Sequence, residues 1–196
     1  MNQSKNRTMT LTICVVAVMA ALVALGSWIQ IQIPSIMGTN RFHLGNVMCA
    51  LSGLLLGPWW GGLAAGLGSA LYDLLLDPTR FAEFPITFIT KGVYGLVAGA
   101  VYFNVFKGRS NYVAEAVSAA AAAVSYIAIY LVKVFFYNGL LVKGLAPDAA
   151  WLAVLEKIPS SAFNGIVAVV FAPILGVALH KALKAAHLEA KLGIAG

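Results

Sequence analysis

Long apolar runs, broken at short intervals by Gly, Pro or charged residues, dominate this chain. They cover residues 9–33, 44–59, 61–76, 85–106, 113–142 and 158–185. A helix that crosses a bilayer needs about 20 mostly apolar residues, and shorter runs suffice where the ends are polar but packed. The second and third runs are short and meet at Gly57-Pro58-Trp59-Trp60-Gly61-Gly62. Gly-Pro and Gly-Gly are turn signals, and paired tryptophans suit a membrane interface. The stretch therefore reads as a tight helical hairpin, with one long bent helix as the alternative. The pattern predicts an all-α polytopic membrane protein: a bundle of six transmembrane helices forming a single transmembrane domain over residues 1–196.

Composition supports lipid as the solvent. Of the 196 residues, 61% are hydrophobic and 10% charged, against about a quarter charged in soluble domains; the mean hydropathy is +0.87. The pI near 9.4 does not imply a nucleic-acid partner, because the basic residues lie between or beyond the apolar runs and form no patch. Cys14 and Cys49 sit inside apolar runs and read as small packing residues, with no disulfide framework or metal motif. With six spans both termini share a side. That side carries Lys5, Arg7, Lys107, Arg109, Lys181, Lys184 and Lys191 against Glu115 and Glu189, while the opposite loops carry Arg41, Arg80, Lys143 and Lys157 against Asp77, Glu83, Asp148 and Glu156. The positive-inside rule puts both termini in the cytoplasm. Lys5 and Arg7 resemble the start of a signal peptide, but the run that follows, about 25 residues, is longer than such peptides use; it is expected to be a retained span.

Polar residues gather at the outer end of this arrangement. The inner halves are plain, as in Leu54, Leu55, Ala119 to Val124 and Val167 to Ile174. The outer ends bring Trp28, Gln30 and Gln32, then Arg41, His43 and Asn46, then Tyr72 and Asp73. Thr87, Thr90, Lys91 and Tyr94 follow at helical spacing on the fourth span. The fifth adds Tyr130, Lys133, Tyr137 and Asn138, and the sixth Glu156, Lys157, Ser160, Ser161 and Asn164. An ionisable group inside a membrane needs a partner or water. Lys91 and Lys133 either snorkel outward, pair with Asp73 or Glu156, or meet a ligand. Six helix ends converging in this way describe a cup for a small molecule. The loop Pro34 to Phe42, with Gly38, Asn40 and Arg41, is long enough to cover it.

The chain lacks chemistry of its own. No GxxxxGK[ST], HExxH or GxSxG occurs. His43, His180 and His187 are far apart in sequence, so no metal cluster, no cofactor and no catalytic residue is expected. A binding cup without an engine needs an energised partner, or else acts as a stand-alone facilitator or channel; an intramembrane enzyme is a third alternative. On the first helix Thr10, Cys14, Ala17, Ala21 and Ala24 recur at steps of four and three. Such a stripe of small residues serves close packing inside the bundle or docking of another membrane protein.

Three segments resemble one family. Phe42-His43-Leu44-Gly45-Asn46, Leu51-Ser52-Gly53-Leu54-Leu55-Leu56-Gly57-Pro58 and Gly62-Leu63-Ala64-Ala65-Gly66-Leu67-Gly68-Ser69-Ala70 look like the substrate-binding S components of energy-coupling factor (ECF) vitamin transporters, in the riboflavin-type branch. Ile89 to Gly99 is similar to the fourth helix of that family. The resemblance covers the first half of the chain well, and the second mainly by length and span count. It implies six helices, cytoplasmic termini and an outward-facing vitamin site capped by the first loop. It also implies a transmembrane T component and two cytoplasmic ATPases as partners in the cell membrane. The stripe on the first helix then becomes a docking face, centred on Ala17 and Ala21 with Ala24 beside them. The substrate-binding residues expected are Arg41, His43, Asn46, Lys91, Tyr94, Lys133, Tyr137, Asn138, Glu156, Ser160 and Asn164. The branch resemblance favours a pyridoxine-like or pyrimidine precursor over riboflavin.

Overall fold

The computed structural model describes residues 2–36 and 38–186, with side chains from residue 8 onward. The tail residues His187, Glu189 and Lys191, and the side chains of Lys5 and Arg7, lie outside the described part. Five helices in chain order are α1 (Asn2–Trp28), α2 (Gly45–Leu71), α3 (Phe84–Ala100), α4 (Tyr112–Lys133) and α5 (Pro147–Ala185). Wider π-helical turns extend α2 over Tyr72–Leu76, α3 over Val101–Val105 and α4 over Val134–Val142. All five segments are long and apolar enough to cross a membrane.

The second segment folds back on itself. Gly57 has φ 78° and ψ −178°, outside the helical region, and Pro58 follows it. Only glycine takes that backbone conformation without strain. Beyond the turn the two arms run side by side, with Cys49 Sγ 3.7 Å from Ser69 Oγ. In a straight helix twenty residues would separate them by about 30 Å. Ser52 Oγ donates to Gly61 O at 3.0 Å, tying the arms together near the turn. The segment is thus a helical hairpin, as the apolar pattern predicts, so the five long apolar stretches hold six helical arms, of which Gly45–Leu56 is the short one.

Helix packing is close because the contact residues are small. Among them are Ala65 and Ala98 between the hairpin and α3, and Ala119, Ala122, Ala123, Ala168 and Ala172 between α4 and α5. In lipid this supplies dispersion energy where hydrophobic burial supplies little. The helix α1 packs through Val16, Met19, Ala20 and Val23, all buried. Its stripe of Thr10, Cys14, Ala17 and Ala21 faces outward, with Ala24 half-buried. Packing within the bundle is therefore not what the stripe does.

Two boundaries differ from the sequence reading. The first span ends at Trp28 rather than residue 33, and Gln30–Ser35 (β1) pairs antiparallel with Gly38–His43 (β2). The register joins Gln30 to His43 and Ser35 to Gly38. The cause is local: Ile29, Ile31 and Ile33 alternate with Gln30 and Gln32, a β-branched pattern of period two that ends at Pro34. The expected lid loop is thus an ordered β-ribbon. The sixth span begins at Pro147, about three turns before residue 158. Pro147 sits in the first turn, where its missing N–H costs nothing, and the charged Asp148, Glu156 and Lys157 lie on a helix rather than a loop.

Candidate functional site

The polar ends of these elements converge on a small polar chamber of about 70 Å³. The ribbon supplies one wall. Residues along a strand alternate in direction, so Thr39, Arg41 and His43 line the chamber together, while Phe42 on the other face packs edge-on against Phe163, ring centroids 5.2 Å apart. The hairpin brings Asn46, Ser69, Tyr72 and Asp73; α3 brings Thr87, Thr90 and Lys91; α4 brings Tyr126, Tyr130 and Lys133; α5 brings Ser160, Ser161 and Asn164. A wider vestibule of about 690 Å³ shares Thr39, Arg41, Arg80, Tyr130 and Lys133 with the chamber and adds Glu83, Asn138 and Lys157.

A network of ions forms the mouth. Arg41 Nη1 lies 2.6 Å from Asp77 Oδ2, and its guanidinium stands 5.3 Å from the Tyr72 ring centroid. Arg80 lies between two carboxylates, 3.1 Å from Asp73 and 3.0 Å from Glu83. Glu83 is shared: its Oε2 also accepts from Lys133 Nζ at 2.6 Å, and its Oε1 from Asn138 Nδ2 at 2.7 Å. Burial lowers the Arg41 pKa first, with Arg80 adding to the effect and Asp77 among the groups opposing it.

Lys91 stands apart. It is 6% exposed, donates from Nζ to Asn46 Oδ1, and stands 4.2 Å from the Tyr126 ring centroid. The sequence reading offered Asp73 or Glu156 as partners for the two lysines. Instead Lys133 pairs with Glu83, and Lys91 has no carboxylate partner among the described residues. The chamber and vestibule together are lined by six cations (Arg41, Arg80, Lys91, Lys133, Lys143, Lys157) against three carboxylates (Asp73, Asp77, Glu83). The lining is net basic, and Lys91 is the chamber cation with no carboxylate partner among the described residues.

His43 is neutral. Its Nδ1 accepts from Gly45 N at 3.1 Å, which requires the Nε2-protonated tautomer. Burial, followed by the nearby Lys91 and Arg41, holds its pKa well below the usual histidine value.

Of the eleven expected site residues, Arg41, His43, Asn46, Lys91, Lys133, Ser160 and Asn164 line the chamber, and Asn138 lines the vestibule. The other three stand off both walls. Tyr94 is fully buried behind Tyr126, ring centroids 5.4 Å apart. The Tyr137 hydroxyl donates to Ala82 O at 3.3 Å. Glu156, half-buried on α5, lies outside the residues lining either space. The chamber wall also holds residues outside the expected set, Arg80 and Tyr126 among them. Arg80 reads as a loop charge in sequence, and Tyr126 sits among alanines in an otherwise plain run. Its signal is helical spacing: Tyr126, Tyr130 and Lys133 recur at four and three, on one face.

A family model described as "ECF-type riboflavin transporter, S component" matches residues 7–181. The chain belongs to this family. As an S component it is a transporter subunit and not an enzyme. An uncharacterised protein of Pyrococcus woesei is 39% identical over 84 residues, which are 43% of this chain. The match spans 51% of that relative's length, about half. The matched stretch takes in every residue that lines the polar chamber.

Proposed function

We propose that this S component captures a single-ring vitamin or vitamin precursor, pyridoxine-like or pyrimidine, at the outer face of the cell membrane. It passes the ligand inward with a transmembrane T component and two ATPases. The observation that carries the ligand class is Lys91, a buried cation over an aromatic ring with only a neutral amide as hydrogen-bond partner. A weakly acidic ring hydroxyl, as on a pyridoxine-like ring, would complete it, because a charge out of water gains most from an opposite charge at short range; a pyrimidine would offer Lys91 a ring nitrogen as acceptor instead. Tyr126 and Tyr130 lie nearly parallel at 5.7 Å and provide aromatic faces for a flat ring. The excess of basic residues on the side of the termini supports cytoplasmic termini and hence a chamber facing outward. The exposed Ala17 and Ala21, flanked by Ala24, provide the docking face for the T component.

Native mass spectrometry of the purified chain, followed by titration with pyridoxine, a hydroxymethylpyrimidine and riboflavin, tests the reading. A bound single-ring compound is expected, with affinity for it reduced about tenfold or more by Lys91→Ala, as for loss of a charge-assisted contact worth about 1.5–3 kcal/mol. Riboflavin binding more tightly than both would overturn the ligand class. Uptake by the purified chain alone, without ATPases, would favour a facilitator.

A further inference from the structure

The ribbon is fastened to α5 by three polar residues on one helical stripe. Lys157, Ser160 and Asn164 recur at steps of three and four, so they share a face. Lys157 Nζ donates to Thr39 O and to Asn40 Oδ1. Ser160 Oγ lies 3.5 Å from Asn40 Oδ1. Asn164 donates from Nδ2 to Arg41 O at 2.8 Å and accepts at Oδ1 from His43 N at 3.0 Å. Strand and helix ascend together: the stripe covers about 10 Å of α5 and β2 from Thr39 to His43 about 13 Å.

The bond pattern of Asn164 is that of a missing strand. In a parallel ladder one residue accepts from and donates to the two residues flanking its opposite number. The Asn164 side-chain amide does this to Arg41 and His43, flanking Phe42. One edge of β2 is paired by β1, and the other is capped by side chains of α5, Asn164 at Arg41 and His43 and Lys157 at Thr39. The Asn164 side chain also sets two of the three ribbon residues that line the chamber, Arg41 and His43.

We infer that Lys157, Ser160 and Asn164 form a latch that holds the ribbon closed over the chamber, and that Asn164 is a positioning residue for Arg41 and His43. The inference rests on the chamber being the binding site, but its test needs no ligand. Cys14 is exposed and Cys49 fully buried, so the full chain with Cys14→Ala and Thr87→Cys places one new thiol on the chamber wall. Thr87 is 5% exposed, and its hydroxyl finds no hydrogen-bond partner among the described residues. Labelling by a water-soluble methanethiosulfonate then reports opening of the ribbon, and Cys49 reports loosening of the bundle. Adding Asn164→Leu, similar in volume but without polar atoms, is expected to speed labelling at position 87 tenfold or more. Lys157→Met, at a half-buried position, is expected to speed it about threefold while Cys49 stays unlabelled in both. Rates within twofold of the parent in both variants would overturn the latch. Cys49 labelling in step with position 87 would also overturn it, because the bundle and not the ribbon would then have opened. Should Asn164→Leu fail to fold, Lys157→Met decides alone. A failed latch leaves the ligand titration untouched, and a failed titration leaves the labelling result standing.

Discussion

At the scale of residues, His43 shows how a single proton bears on the site. Its Nδ1 accepts the Gly45 N–H, and burial beside Lys91 and Arg41 disfavours the imidazolium. The folded-state pKa is therefore depressed below the unfolded value of about 6.5. The unfolded chain binds the proton first, so stability from this group is present above that pH and is lost as pH falls below it. Thermal unfolding in detergent between pH 5 and 7.5 is expected to show stability falling by up to about 1.4 kcal/mol per pH unit below 6.5. In His43→Asn, whose carbonyl can still accept from Gly45, that slope is expected to flatten. Much of the chamber was legible in the sequence for the same reason that His43 is costly: polar groups in apolar runs stand out. Asn46, Lys91, Lys133, Ser160 and Asn164 were visible in this way. Arg80 was not, because a charge in a connecting segment looks like any other loop charge until Asp73 and Glu83 close on it.

At the scale of elements, the α2 hairpin and α3 touch backbone to backbone. A Cβ on Gly53 would lie 2.2 Å from Gly95 O and 2.9 Å from Ala98 Cβ. Neither neighbour is a flexible side-chain tip, so Gly53→Ala must push α3 away. Overpacking of this kind costs about 1–3 kcal/mol, and the melting temperature in detergent is expected to fall by about 2–12 °C. An unchanged melting temperature would mean that the helices separate freely. The helices were legible because long apolar runs admit few other structures in lipid. The ribbon was not, since Ile29 to Ile33 continues an apolar run and only its alternation with Gln30 and Gln32 marks a strand. The start of α5 was hidden by Asp148, Glu156 and Lys157, charges that suggest a loop until a chamber rim needs a helix there.

At the scale of the whole molecule, one face of α1 is set aside. Ala17 and Ala21 are exposed while Val16, Met19, Ala20 and Val23 are used within the bundle. Ala21→Trp would block close approach of another helix without touching the chamber. Vitamin uptake by cells carrying the complete transporter is expected to fall severalfold or more, while ligand binding by the purified chain stays as it was. Loss of both, or of neither, would remove the docking role. The charges at the other end behave as a unit too. Arg80 and Glu83 each serve more than one partner, so removing one member leaves an opposite charge stranded. Lys91 belongs to no such pair. Its position can change sign or lose charge, as in Lys91→Gln or a compensating Asn46→Asp, without breaking the ring of ions above it. With Lys91 as the ligand's counter-ion, as proposed, changes at these two neighbouring positions would alter the charge of the ligand accepted while leaving the ion pairs of Arg41, Arg80 and Lys133 intact.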